Sequence, residues 1–194
     1  VRHGGTAVAA DVVVLAAGAA SGRVPGVPAA ALPPVRPVKG QILRLRVPAP
    51  LRPLISRTVR GTVCGNPVYL VPRADGELVL GATSEELGFD ETVTAGGVHA
   101  LLRDAQALVP AVGEAELVET AARCRPGSPD NAPIVGAGAL PGLVLATGHH
   151  RNGMLLAGVT GEGIADLLTA GELPGHLRPF APGRFAAREP APVP

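Results

Sequence analysis

Six residues, Gly148-His149-His150-Arg151-Asn152-Gly153, join a short apolar stretch to a segment of helical periodicity. A glycine-rich turn opening a helix presents backbone N–H groups and the positive end of the helix dipole, which suits anionic ligand atoms. The bland alternative is an ordinary strand-to-helix turn. Arg151 lies inside this turn, and Arg125 precedes a proline at the end of a polar-alternating stretch. A guanidinium meets a carboxylate through two parallel hydrogen bonds, so two arginines converging on a cleft would hold an α-carboxylate. Taken one at a time, each reads more simply as a surface arginine extended into water. Tyr69, the only tyrosine, adds a hydroxyl on a rigid ring, or is simply a half-buried strand aromatic.

Other chemistries find no support. Gly136-Ala-Gly138-Ala-Leu-Pro-Gly142 has the wrong third spacing for a dinucleotide fingerprint, and Pro141 would disrupt the helix it must open. His149 and His150 are adjacent and cannot share a helical face, and no Cys or carboxylate cluster completes a metal site, so no metal is expected. There is no Gly-x-Ser-x-Gly elbow for a hydrolase. Cys124 stands between Arg123 and Arg125, where its thiol could be acidified; a structural cysteine is the simpler reading.

The elements that must carry these residues follow from composition and periodicity. The 194 residues are 46% hydrophobic and 17% charged, enough to bury a core without disulfides or metal. Lys plus Arg (17) nearly balances Asp plus Glu (16), so no basic field points to nucleic acid. Gly (26) and Pro (21) predict short strands and turns rather than a helical bundle. Two cysteines, Cys64 and Cys124, set no disulfide framework, and a cytoplasmic location is expected. No membrane segment is read, because Asp11 interrupts the first apolar stretch and Pro133 and Pro141 break the second. The start at Val1, without an initiator Met, reads as a piece of something longer.

Val12-Val13-Val14-Leu15 predicts a strand buried on both faces, and residues 22–37 an extended connection. Residues 41–47 alternate as a strand with one wet face. Asp75-Gly76 between Val68–Pro72 and Leu78–Gly81 predicts a hairpin, with Tyr69 and Val71 on one face and Val68 and Leu70 on the other. Residues 95–109 predict a helix capped by Thr94 and closed by Pro110. A strand over 116–123, a loop over 125–133 and a buried strand over 143–146 follow. A helix over 154–170 has Leu156, Val159, Leu167 and Leu168 on its apolar side and Gly171 as its cap. Residues 172–194 read as a flexible tail.

Several segments, taken in order, resemble one family. Ala10-Asp-Val-Val-Val-Leu-Ala-Ala-Gly18, Pro37-Val-Lys-Gly-Gln41, Val68-Tyr-Leu-Val-Pro-Arg73, Gly81-Ala-Thr-Ser-Glu85, Arg125-Pro-Gly-Ser-Pro-Asp130 and Gly148-His-His-Arg-Asn-Gly-Met-Leu-Leu156 are similar to the FAD-dependent amino-acid oxidases of the D-amino-acid oxidase type. Gly88-Phe-Asp-Glu-Thr-Val-Thr-Ala-Gly-Gly97 is most similar to glycine oxidase of the thiamine pathway. The resemblance implies an α/β fold with an α+β substrate domain: a partial Rossmann-like FAD domain over 1–35 and 131–171, and a mixed, largely antiparallel substrate-domain sheet over 36–130. It implies FAD as cofactor and substrate binding by Tyr69, Arg125 and Arg151. It further implies flavin contacts from Gly18, His149, His150, Arg151, Asn152, Gly153, Met154 and Leu155.

The implied activity is oxidation of glycine or a small D-amino acid to the imine, by hydride transfer to flavin, with O2 giving H2O2. The implied partners are the amino-acid substrate, O2, the N-terminal half of the flavin domain and a possible second copy in a homo-oligomer. The family's Gly-x-Gly-x-x-Gly βαβ unit is not in this chain, so weak FAD binding by the chain alone is expected. Ala20 and Ala121 stand where relatives usually carry Trp, Arg123-Cys124 where they carry Gly-Leu, and Gly158 where they carry Pro. A sarcosine-oxidase-like or dehydrogenase relative, or a non-catalytic remnant, stays open.

Overall fold

A computed structural model describes residues 1–185. Its elements in order are β1 (Arg2–His3), β2 (Thr6–Ala7), β3 (Val13–Leu15), β4 (Arg36–Arg46), β5 (Val59–Val63), β6 (Asn66–Pro72), β7 (Glu77–Gly81), α1 (Ala95–Leu108), β8 (Glu116–Gly127), β9 (Ile134–Ala137), β10 (Leu143–Thr147) and α2 (Gly153–Ala170), with short 3-10 turns between. The chain divides into two compact units. One joins Val1–Pro37 to the chain from Arg125 onward, and the other is Val38–Cys124. The expected class, α/β with a largely antiparallel second sheet, holds.

The Val38–Cys124 unit is built on a five-stranded sheet of order β5-β6-β7-β4-β8. Strand side chains alternate between faces, and here the alternation sorts cleanly. Leu43, Leu45, Val68, Leu70, Leu78 and Leu80 are buried with Leu101 and Ala105 of α1 in one cluster. Tyr69 and Val71 occupy the other face, half-exposed. The β6–β7 hairpin turns where Asp75-Gly76 predicts it: Gly76 adopts φ +85° and the Asp75 carboxylate accepts the Glu77 N–H at 3.0 Å. α1 begins where Thr94 Oγ1 accepts the Gly97 N–H at 3.1 Å, satisfying one of the otherwise unpaired first-turn donors. Pro110 follows its end.

The other unit holds a three-stranded sheet, β3-β10-β9. β3 runs parallel to β10 and β9 antiparallel to it. One face buries Leu15, Ile134, Leu143 and Leu145. The other packs Val135 and Val144 against Ile164 of α2 and Leu177. Gly171 ends α2 in the left-handed conformation, φ +78°, as glycine permits without a Cβ penalty.

Several expectations need correction. β3 is not buried on both faces: it is an edge strand, and Val12 and Val14 are 42% and 41% exposed because α2 covers Val135 and Val144 but stops short of them. Leu168, expected on the apolar side of α2, is 48% exposed and is absent from the cluster that α2 joins through Ile164. β8 runs on to Gly127, so Arg125 and Pro126 are strand residues rather than loop. β4 begins at Arg36, inside the expected extended connection. β5 and β9 appear where no strand was read. Residues 172–185 are not a loose tail. Leu177 is buried, Phe180 and Phe185 pack on the two clusters, and Arg184 grips Asp130 through two nitrogens at 2.9 and 3.1 Å. The rest of that expected tail, 186–194, lies outside the described residues.

Candidate functional site

Arg125 and the 148–153 turn are tied together by backbone. The His150 N–H donates to the Pro126 carbonyl at 2.9 Å, and Gly127 bridges His149 as an isolated antiparallel pair. The residues after Arg125 are thus registered against the residues before Arg151. Arg125 is half-buried at the end of β8, and Arg151 is exposed at the head of α2.

The electrostatics of this corner are set by guanidinium groups. Burial lowers the His150 pKa first, and the charges of Arg151, Arg125 and Arg36 lower it further. Protonating His150 would add a cation beside three guanidiniums, so burial and their charge both disfavour the imidazolium. Arg36 was not foreseen. It anchors this corner by donating to the Ser128 carbonyl and to Asn131 Oδ1 at 3.3 Å. Its position in a proline-rich stretch gives no local sign of that role. His149 turns inward, its Nε2 2.9 Å from Thr160 Oγ1, and burial lowers its pKa.

The turn itself is shaped by backbone conformation. Gly148 has φ +75°, and a Cβ there would come within 3.0 Å of Ile134 Cγ1, so glycine is required on both counts. Asn152 supplies no side-chain cap to α2. Next to it, Met154 and Leu155 are 94% and 82% exposed, two adjacent apolar side chains left in water. Gly18 ends the β3 segment at φ +54° with open space where a Cβ would project, and its carbonyl accepts from Thr147 Oγ1 at 3.1 Å. Close by in sequence, Ser21 is fully buried and its Oγ has no hydrogen-bond partner. Such an orphan calls for an explanation. An uncapped helix start beside two bare apolar side chains fits a cofactor with both polar and flat apolar surfaces.

Tyr69 belongs to the Val38–Cys124 unit. It sits on β6 directly opposite Arg60 of β5, whose guanidinium stands 5.7 Å from the ring centroid. It also pairs with Gly81 of β7, where a Cβ would lie 2.5 Å from the phenolic oxygen. Gly81 therefore leaves the space that the tyrosine hydroxyl occupies. Arg60 was not singled out from the sequence, since its partner is set by cross-strand register. Cys124 packs by Gly88 and Asp90 carbonyls, Sγ at 3.7 and 3.9 Å, consistent with a structural thiol. Among the described residues no three His, Cys, Asp or Glu side chains gather as a metal site, and no helix is long and apolar enough to cross a membrane.

The sequence matches the family model described as FAD dependent oxidoreductase over residues 1–167. The chain belongs to this family. Within the FAD-dependent oxidoreductases it is 40% identical over 179 residues to glycine oxidase of Geobacillus kaustophilus, covering 92% of this chain and 45% of that protein. The crystal structure of that glycine oxidase superposes with a TM-score of 0.80 over 92% of this chain and 47% of that one. A bifunctional ThiO/ThiG protein of Synechocystis sp. is 39% identical over 160 residues, 82% of this chain and 24% of its own length. Iminodiacetate oxidase of Chelativorans sp. BNC1 superposes with a TM-score of 0.74 at 26% identity, covering 90% of this chain and 47% of that one. The chain thus spans less than half the length of these relatives.

Proposed function

We propose that this chain carries the carboxylate-binding and flavin-covering parts of an oxidase acting on glycine or a small D-amino acid. The observation that supports this best is the backbone tie between His150 and Pro126, which registers the strand end bearing Arg125 against the turn bearing Arg151. The two guanidiniums serve as a fork for the substrate α-carboxylate, and Tyr69 adds a hydroxyl donor. Gly18, His149, His150, Arg151, Asn152, Gly153, Met154 and Leu155 form the side that meets the cofactor. FAD bound there supplies a two-electron acceptor that O2 regenerates, yielding H2O2. The protein's task is orientation: the carboxylate is held so that Cα faces the acceptor, and the amine stays neutral so that a hydride can leave Cα while nitrogen loses a proton. No acid–base pair is needed on the chain.

The domain assignment follows the same reading, with 1–35 and 131–171 as part of the flavin domain and 36–130 as the substrate domain. On this reading the flavin domain is completed by an N-terminal half that carries a Gly-rich βαβ unit.

Arg125→Lys tests the assignment in the full-length protein. A point charge replaces a planar fork, so KM for the amino acid rises about tenfold or more, equivalent to one charge-assisted hydrogen bond, while kcat changes less. Peroxide formation from glycine, sarcosine and D-alanine measures both this and the substrate preference. An unchanged KM overturns the role given to Arg125. Sarcosine outperforming glycine would favour the reading as a secondary-amine oxidase, for which the name of the iminodiacetate oxidase neighbour is the specific support.

A further inference from the structure

Within the Val38–Cys124 unit, a hollow of about 430 Å³ opens between α1, the start of β6 and the segment after β7. Its size lies within the roughly 300–1,000 Å³ of small-molecule sites. α1 gives it one stripe, Gly97, Ala100, Leu101 and Asp104, at the i, i+3, i+4 and i+7 spacing that shares a helix face. Gly97 is set by its neighbour, because a Cβ there would come within 2.5 Å of the Gln41 side-chain amide. Val68 and Ala82 supply apolar wall from the sheet side.

The charge of this hollow is one-sided. Asp104 and Glu85 line it, and no lysine or arginine does. Glu85 already has its donors: it accepts from Gln41 Nε2 at 2.9 Å and from Thr83 Oγ1, and Lys39 lies 3.8 Å away. Asp104 differs. It is 3% exposed, yet only its Oδ1 is engaged, by Arg103 Nε at 2.8 Å and Nη2 at 2.7 Å. Among the described residues nothing donates to Oδ2. A carboxylate oxygen so little exposed and without a donor is costly, and this one belongs to a residue that walls an open hollow. The first-turn donors of α1 do not meet the need. Thr94 Oγ1 takes the Gly97 N–H, and Gln41 Oε1 takes the Thr94 N–H.

We infer that this hollow binds a small organic cation, a primary ammonium on a short aliphatic stem. The ammonium donates to Asp104 Oδ2, and the stem lies along Ala82, Ala100 and Leu101. The site draws on none of the residues assigned above to substrate or flavin, and all of it belongs to one compact unit.

Calorimetric titration of the full-length protein with n-butylammonium and with n-butanol tests the inference. The ammonium binds saturably and the alcohol does not. Asp104→Asn weakens the ammonium about tenfold or more, the worth of one charge-assisted hydrogen bond. Ala100→Leu fills the hollow without touching the charge and weakens binding to a similar degree. Asp166→Asn, which removes an equal charge from an exposed position of α2, leaves it unchanged. Melting curves identify a variant that does not fold, and should Asp104→Asn be one, Ala100→Leu decides. The inference is overturned if no saturable binding occurs, if the alcohol binds as well as the ammonium, or if affinity survives either folded variant. An equal loss in Asp166→Asn would also overturn it, since attraction to net charge would then account for the binding.

Discussion

Lys39 is a fully buried ammonium, and its charge is neutralised locally. Asp90 pairs with it, and Glu85 approaches to 3.8 Å. The hydrogen bond from Lys39, with those from Thr92, holds the Asp90 carboxyl down to about 2 from its ordinary 3.8. For Glu85, burial works to raise the pKa, but hydrogen bonds from Thr83 and Gln41 outweigh it and the net shift is downward. A carboxyl whose folded pKa is depressed adds stability that is complete above its unfolded pKa and is lost as pH falls through the folded value. The melting temperature is therefore expected to fall between about pH 4 and pH 2 as Asp90 protonates, with a shallower fall over that window in Asp90→Asn. Calorimetric melting across that range measures it, and identical slopes for both proteins would remove Asp90 from the account. Such pairings were illegible in the sequence. The Pro37–Gln41 motif is visible there, but its lysine meets Asp90 only through tertiary contact, just as Arg60 meets Tyr69 only through register.

Elements with local causes were legible, and those with remote causes were not. The β6–β7 hairpin follows from Asp75-Gly76, and α1 from Thr94, the i, i+3, i+4 apolar spacing and Pro110. β9 is only four residues long and includes Gly136 at φ +127°, so no propensity announces it; pairing with β10 makes it a strand. β5, Val-Arg-Gly-Thr-Val, alternates too weakly to be read, and its glycine is there because Leu108 of α1 fills the space a Cβ would need, at 2.9 Å. The segment after α2 gains its order from Leu177 and from Arg184 on Asp130, whose carboxyl pKa is lowered chiefly by that arginine. At the turn into β10, Gly142 is constrained twice: φ is +75°, and a Cβ would come within 2.6 Å of the Asp11 carbonyl oxygen. The Val13 N–H donates to the Gly142 carbonyl at 2.8 Å, so this turn also registers β3. Gly142→Ala is expected to lose at least about 1–2 kcal/mol for the left-handed conformation alone, seen as a lower urea midpoint at unchanged m-value. A wild-type midpoint would mean that the turn relaxes freely.

At the scale of the whole molecule, the unit that joins Val1–Pro37 to the chain from Arg125 onward is unevenly covered. Val12, Val14, Met154, Leu155 and Leu168 leave apolar surface in water, and a concavity of about 1140 Å³ opens beside β3, lined by residues such as Val13, Val14, Leu15, Val24 and Val27. Apolar exposure beside such a hollow is the kind of surface that takes up a ligand or a further protein segment. The chain on its own is expected to bind the dye ANS, and Val12→Thr with Val14→Thr to reduce that fluorescence with little loss of melting temperature. Undiminished dye binding in the double variant would place the sticky surface elsewhere. The crossings between units, at Pro37–Val38 and Cys124–Arg125, have a different consequence. Arg36, just before the first, bonds the Ser128 carbonyl, just after the second, so the two ends of the chain that flank Val38–Cys124 are held to each other within one unit. Both crossings lie inside β4 and β8, neighbours in the five-stranded sheet, so any exchange of the middle segment has to preserve that strand pairing.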